Sequence, residues 1–191
     1  MISPVKIFCD IETTGLDPTR HEIISICIIT QYPLGSSTWS ALIKPRHIWT
    51  ADYRALEING YNEPAWASAI DIKEAVEMID QRIHGGLFIG YNPSFDMAFI
   101  RKALKDYGYE TPRIRMIDVM TLAHEHLIGI GSLSLYSVRK YLGMSIENSH
   151  TALQDTRDTR YIYNLLHRCS SWKRIGLYLL WRLRQLRTRS K

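Results

Sequence analysis

Residues 5–15, VKIFCDIETTG, constrain the fold more tightly than any other stretch of the chain. Val5, Ile7, Cys9 and Ile11 alternate with Lys6, Phe8, Asp10 and Glu12, the period of two that belongs to a β-strand. Successive side chains of a strand take opposite faces, so Asp10 and Glu12 project the same way, about 6 to 7 Å apart at the backbone. Two anions that close repel unless a positive charge lies between them. A D-x-E pair by itself is ordinarily the wet face of a strand. Here Phe8 shares that face and the tightly turning TTG follows at once, which weakens the ordinary reading. A hard cation such as Mg²⁺ takes oxygen ligands, and commonly only one or two carboxylates from the protein. Further acids should then converge from elsewhere, and Asp96 in GYNPSFD and Asp155 in HTALQD each fall in the first turn of a predicted helix. Singly, either is as well explained by its fit to the helix dipole.

The rest of the chain supplies a frame. IISICII (23–29) is a β-branched run suited to a central strand, and a third strand is expected over Thr38–Ile43. Three strands with short connections read as an antiparallel meander. Irregular sequence follows through ALEINGYNEPAW, then a helix within Ala65–Ile83, where Ala69, Ile72, Val76, Ile79 and Ile83 recur at helical steps. Further strands are expected at Leu87–Asn92 and around Ile114–Val119, enclosing a helix that starts at Pro93 and ends near Gly108. Helices ending near Gly143 and spanning about Ala152 to His167 complete it. That order describes an α/β domain with a mixed five-stranded sheet, the meander plus two parallel strands, flanked by helices.

DIETTGLD, GYNPSFD and HTALQDTRDT, in that order, resemble the three motifs of the DEDDh family, the DnaQ-like 3′-to-5′ exonucleases with a ribonuclease-H-like fold. MIDVMTLA and SLSLYSVRKYLG resemble the family's elements ahead of the third motif, and the resemblance covers about residues 4–166. It implies that Asp10, Glu12, Asp96 and Asp155 bind two divalent ions, Mg²⁺ or Mn²⁺, with Asp10 bridging them, and that His150 is the general base. In the histidine branch the base stands five residues before the last acid, as His150 does before Asp155; the tyrosine branch would need a tyrosine where Thr151 stands. Asp158, one turn after Asp155, competes as a ligand, but the spacing from His150 selects Asp155 and leaves Asp158 to pair with nearby arginines. By the same resemblance Thr13, Thr14, Gly15 and Leu16 receive the terminal nucleotide, Thr13 and Leu16 foremost. Asn59 and Tyr91 stand where relatives often have histidines, Tyr91 just before Asn92, which bears on base or sugar preference. The expected substrate is the 3′ end of single-stranded nucleic acid, DNA ahead of RNA, released as nucleoside 5′-monophosphates. A polymerase or another replication or repair protein is a candidate partner, and a non-catalytic binding module on the same fold is the rival reading. A homodimer stays open, with no interface signature to argue it.

Composition divides the chain. Residues 168–191 hold Arg168, Lys173, Arg174, Arg182, Arg184, Arg187, Arg189 and Lys191 and no acid, against a whole-chain formal charge of +5, so 1–167 is net negative by 3. The expected organisation is an exonuclease domain over 1–167 and a basic amphipathic helical tail over 168–191. In that tail Trp172, Ile175, Leu179, Leu183 and Leu186 form one stripe. The stripe can pack on the domain or a partner, the arginines can track a phosphate backbone, or the helix can lie on an anionic membrane; packing plus nucleic-acid contact is the expectation. MISPVKIF lacks a signal peptide's basic start and apolar stretch, and Cys9, Cys27 and Cys169 are widely spaced. A cytoplasmic protein without integral membrane association is expected.

Overall fold

A computed structural model describes residues 4–146 and 151–189. Five strands form one mixed sheet in the order β3-β2-β1-β4-β5. β1 (Lys6–Thr13), β2 (Ile23–Tyr32) and β3 (Gly35–Leu42) are the antiparallel meander. β4 (Leu87–Gly90) and β5 (Arg115–Asp118) add parallel to β1. Eight consecutive buried residues of β2 and three of β1, Ile7 to Cys9, show why the middle of the sheet is so apolar in sequence: both faces are covered. Ile7, Cys9 and Ile11 pack beneath α2 (Ile72–Ile83) and α3 (Pro93–Asp106). Phe8, Cys27 and Ile29 face the other way, toward α4 (Val119–His126), α5 (Leu135–Leu142) and α6 (Ala152–Leu166). Asp10 and Glu12 share the Phe8 side of β1, so they emerge beyond the end of a core rather than on a wet face.

The helix expected within Ala65–Ile83 is α2, beginning at Ile72, where Asp71 caps it by accepting from Lys73 N; residues 65–68 form a turn and Ile70 a bridge, so of the expected helical steps only Ala69 falls ahead of the helix. Within the stretch expected to be irregular lies α1 (Tyr53–Ile58), capped by Asp52, whose side chain accepts from Arg54 N. With no buried residue and only six in length, it carries no periodic signal.

The last helix, α7 (Ser171–Arg189), packs on α5. Trp181 stacks on Tyr141 with ring centroids 5.1 Å apart, and Arg184 donates to the Tyr141 carbonyl at 2.9 Å. Leu177 and Trp181 join the Phe8-side core, and it is the Trp172–Leu179–Leu183 stripe that faces out. The expected packing of that stripe on the domain does not occur, because the row on the opposite side of the helix carries the aromatic ring that Tyr141 accepts. Among the described residues no helix is long and apolar enough to cross a membrane.

Candidate active site

β1 ends in a bulge. Glu12 pairs with Ser25 and Thr13 with Ile23, leaving Ile24 without an opposite residue. The Ile24 carbonyl is satisfied from outside the ladder by Trp66 Nε1 and Ile43 N, both at 2.9 Å. A bulge bends a strand and re-aims its side chains, and this one lies immediately after the two acids. The turn beyond it is fixed by its own hydroxyls: Thr13 Oγ1 donates to the Gly15 carbonyl at 2.7 Å, and Thr14 Oγ1 accepts from Glu22 N at 2.9 Å. Gly15 approaches His21 closely: a Cβ there would lie 2.5 Å from His21 Nε2, so a larger residue must displace that ring. Leu16, next in sequence, is 78% exposed.

Asp96 arrives from the other side of the sheet. After β4 the chain turns at Asn92, which adopts a left-handed conformation (φ 61°) that asparagine tolerates, and Pro93 opens α3. Asp118 pins this turn by accepting from Asn92 N at 3.0 Å, while also capping α4 through Met120 N at 2.8 Å. Asp96 is then buried at the end of the first turn, its Oδ1 accepting from Ile11 N at 3.1 Å, between the two acids of β1.

Asp155 comes from the start of α6, which lies over β1 and β2. Thr151 caps the helix, and Thr156 Oγ1 donates to the Ala152 carbonyl at 2.6 Å while lying 3.4 Å from the Cys27 carbonyl. One oxygen from each of Asp10, Glu12 and Asp155 falls within 4.8 Å of the others. Asp96 is not in that trio: the oxygen it gives to Ile11 N ties it to the strand.

The electrostatics follow from this crowding. Asp10 is pushed well above the usual carboxylate range by burial first and then by the charges of Asp96, Glu12 and Asp155. Glu12 rises to about 8, by burial and then by Asp155 and Asp96. Asp96 rises to about 7 through burial and the charge of Asp118, opposed by backbone hydrogen bonds that include Ile11 N. The all-oxygen donor set of Asp10, Glu12 and Asp155 fits a hard divalent ion and does not fit a soft metal that prefers sulfur.

Among the described residues, Arg139 touches the rim of the cluster. Arg139 of α5, 1% exposed, places Nη1 3.3 Å from Asp155 Oδ1 and Nε 3.0 Å from Asp158 Oδ2. Nε and Nη2 donate to the Ser145 carbonyl at 3.1 and 2.9 Å, so the Asp158 contact is an ion pair without its own aligned hydrogen bond. Gln154 Nε2 donates to the other Asp158 oxygen at 3.0 Å. Asp158 therefore turns from the trio toward Arg139. The sequence reading paired Asp158 with arginines without finding Arg139, and nothing in its surroundings marks it except that a charged residue stands among apolar helix positions.

His150 lies outside the described residues. Of the remaining residues named from the sequence, Thr13 and Thr14 are buried, with hydroxyls committed to the turn. Asn59 donates from Nδ2 to the Thr13 carbonyl at 2.8 Å, and the Tyr91 hydroxyl donates to the Leu133 carbonyl. These four brace the site. Leu16 presents its side chain outward, and Tyr53, 80% exposed, joins it as a residue the sequence did not suggest. The neighbour of Tyr53, Asp52, donates its N–H to the Thr14 carbonyl at 2.7 Å.

A family model described as an exonuclease (RNase_T) matches residues 7–163. The chain is 30% identical over 185 residues to a PolC-type DNA polymerase III of Thermotoga petrophila, covering 95% of this chain and 13% of that protein. To the PolC-type polymerase of Clostridium perfringens it is 27% identical over 155 residues, covering 80% of this chain and 10% of the other. It thus spans about an eighth or less of the length of these relatives. Among solved structures, E. coli exonuclease I in a complex with single-stranded DNA superposes with a TM-score of 0.76 at 18% identity, over 92% of this chain and 42% of that one. Exonuclease I from Methylocaldum szegediense gives a TM-score of 0.71 at 20% identity, over 90% and 42%.

Proposed function

The chain belongs to the DnaQ-like exonuclease family, and from that premise we propose that it hydrolyses single-stranded nucleic acid from the 3′ end, DNA ahead of RNA, releasing nucleoside 5′-monophosphates. The observation that carries the reading is the trio of Asp10, Glu12 and Asp155 oxygens gathered within 4.8 Å at the end of the middle strand. Like charges at that distance raise one another's pKa, and a bound divalent ion removes the conflict.

Asp10, Glu12 and Asp155 would hold the ions, Mg²⁺ or Mn²⁺ and two in number, and Asp96, tied to Ile11 N beside them, would complete the set. When bound, the ions supply Lewis-acid stabilisation of the attacking and departing oxygens of a phosphodiester. His150 takes the proton from the attacking water, a role open to an imidazole near neutral pH. Leu16 and Tyr53, exposed beside the braced turn, offer an apolar edge and a ring on which terminal bases stack. The polymerase names of the relatives support DNA as the polymer and a polymerase as the partner.

Three substrates under one condition test this: single-stranded DNA, duplex DNA with a mismatched 3′ end, and single-stranded RNA, each labelled at the 5′ end and incubated with Mg²⁺. A ladder shortening from the 3′ end, fastest on single-stranded DNA, is expected. Binding to all three without any shortening in Mg²⁺ or Mn²⁺ would instead identify a non-catalytic module.

A further inference from the structure

The outward face of α7 has no role in the site just described. At 3.6 residues per turn, Trp172, Ile175, Leu179, Leu183 and Leu186 fall within an arc of about 80°. All five are exposed: Trp172 84%, Leu179 54%, Leu183 55%. Leu180 widens the patch and is exposed as well. The helix cannot turn this face inward without giving up the Trp181 stack on Tyr141, the Arg184 bond to the Tyr141 carbonyl, and the bond from Lys173 Nζ to the Leu165 carbonyl at 2.7 Å. An apolar stripe of this length, held rigidly in water, marks an interaction surface.

Charge selects the occupant. α7 carries Lys173, Arg174, Arg182, Arg184, Arg187 and Arg189 and no acid. The exposed Arg182 follows the arc of Ile175 and Leu186 directly on one side. A second copy of the helix laid on the stripe would bring the same cations against these. A nucleic acid would satisfy the arginines and leave five large apolar side chains in water. A surface with acyl chains beneath anionic headgroups satisfies both at once, and a helix with a Leu/Ile/Trp face and a cationic border is the form that lies in such an interface.

We propose that α7 is an in-plane anchor, docking the domain onto an anionic lipid surface through Trp172, Ile175, Leu179, Leu183 and Leu186, with Arg182 among the headgroups. The domain is thereby held at a membrane without crossing it. Its own net charge, negative by 3 over residues 1–167, leaves the tail as the attractive element.

Co-sedimentation of the full chain with vesicles tests the anchor. Vesicles of phosphatidylcholine and phosphatidylglycerol at about 7:3 should bind it in about 0.1 M salt, pure phosphatidylcholine vesicles should not, and about 0.5 M salt should release it. The Leu179→Asp/Leu183→Asp variant should lower partitioning about tenfold or more while oligonucleotide digestion and melting temperature stay those of the parent. A blue shift of tryptophan emission on adding anionic vesicles, lost in Trp172→Phe, should accompany binding. No partitioning onto anionic vesicles overturns the proposal, as does partitioning that survives the leucine changes. A dimer in light scattering that the leucine changes dissociate also overturns it, by making the stripe a self-interface. These readouts need no catalysis, so they stand apart from the exonuclease reading.

Discussion

The Arg139 guanidinium lies 3.3 Å from the Asp155 carboxylate, so an acid of the candidate metal cluster shares its charge with a buried cation on another helix. The same guanidinium pairs with Asp158 and holds the Ser145 carbonyl, clamping α6 to the end of α5. Breaking a buried pair by removing one partner strands the other charge and costs about 3–5 kcal/mol. Arg139→Met should therefore lower unfolding free energy by roughly that amount in urea titration. Adding Asp158→Leu should restore only the share owed to Asp158, because Asp155 and the Ser145 carbonyl still lose the guanidinium.

The acids of the cluster make metal-free stability fall as pH rises. Their folded pKa values lie above the unfolded ones: Asp10 raised, Glu12 at about 8, Asp96 at about 7. The protonated forms suit the fold, so their contribution is fully present below about pH 4 and is lost as pH climbs through 7 to 8. In EDTA the melting temperature should decline between about pH 5 and 8, and Glu12→Gln should flatten that decline. The stabilisation from saturating Mg²⁺ should be larger at pH 8 than at pH 6, since fewer protons must then be displaced.

Gly15 is held by contact rather than by backbone angle. A Cβ at that position meets the His21 imidazole, whose Nδ1 lies 3.0 Å from Asp17 N. Gly15→Ala should cost about 1–3 kcal/mol in thermal or chemical unfolding. The same change in a His21→Ala background should cost much less, and equal costs in both backgrounds would show that the ring is not the obstacle.

Leu16 and Tyr53 are exposed enough to be changed without cost to the fold. Loss of one base–aromatic stack is worth about 1–3 kcal/mol, so Tyr53→Ala should raise KM for a single-stranded oligonucleotide about fivefold or more, and Leu16→Ala, which removes apolar contact alone, should raise it less, each with little change in melting temperature. Thr13→Val, which removes the hydroxyl bonded to the Gly15 carbonyl, should instead lower stability.

The middle of the sheet was legible because β2 is buried on both faces and says so in composition, with Ile at five of its first seven positions. Asp10 and Glu12 could be placed on one face of β1 by parity alone, and Asp96 and Asp155 by their nearness to helix starts. Parity could not show that α3 and α6 approach from opposite sides of the sheet, so that Asp96 bonds to Ile11 N while Asp155 joins the trio. Arg139 was invisible for a related reason, since its partners lie on a different helix. The hydroxyls of Thr13 and Thr14 also bond within the turn after β1, a use that parity does not reveal. In α7, periodicity revealed the amphipathic helix but not its orientation, because two apolar rows compete and the aromatic stack of Trp181 decides.

On the proposed function, hydrolysis of a 3′-terminal phosphodiester depends on divalent ions that the β1 acids would hold. The most direct test of that dependence is digestion of a 5′-labelled single-stranded oligonucleotide by the parent chain and by Asp10→Ala, at equal folded concentration in Mg²⁺ and in Mn²⁺. The parent should shorten the strand from its 3′ end and release 5′-mononucleotides, stop in EDTA, and lose all of this in Asp10→Ala. Digestion at parental rate by a folded Asp10→Ala preparation, free of other nucleases, would show that Asp10 is not needed for hydrolysis and overturn the proposed role of the β1 acids.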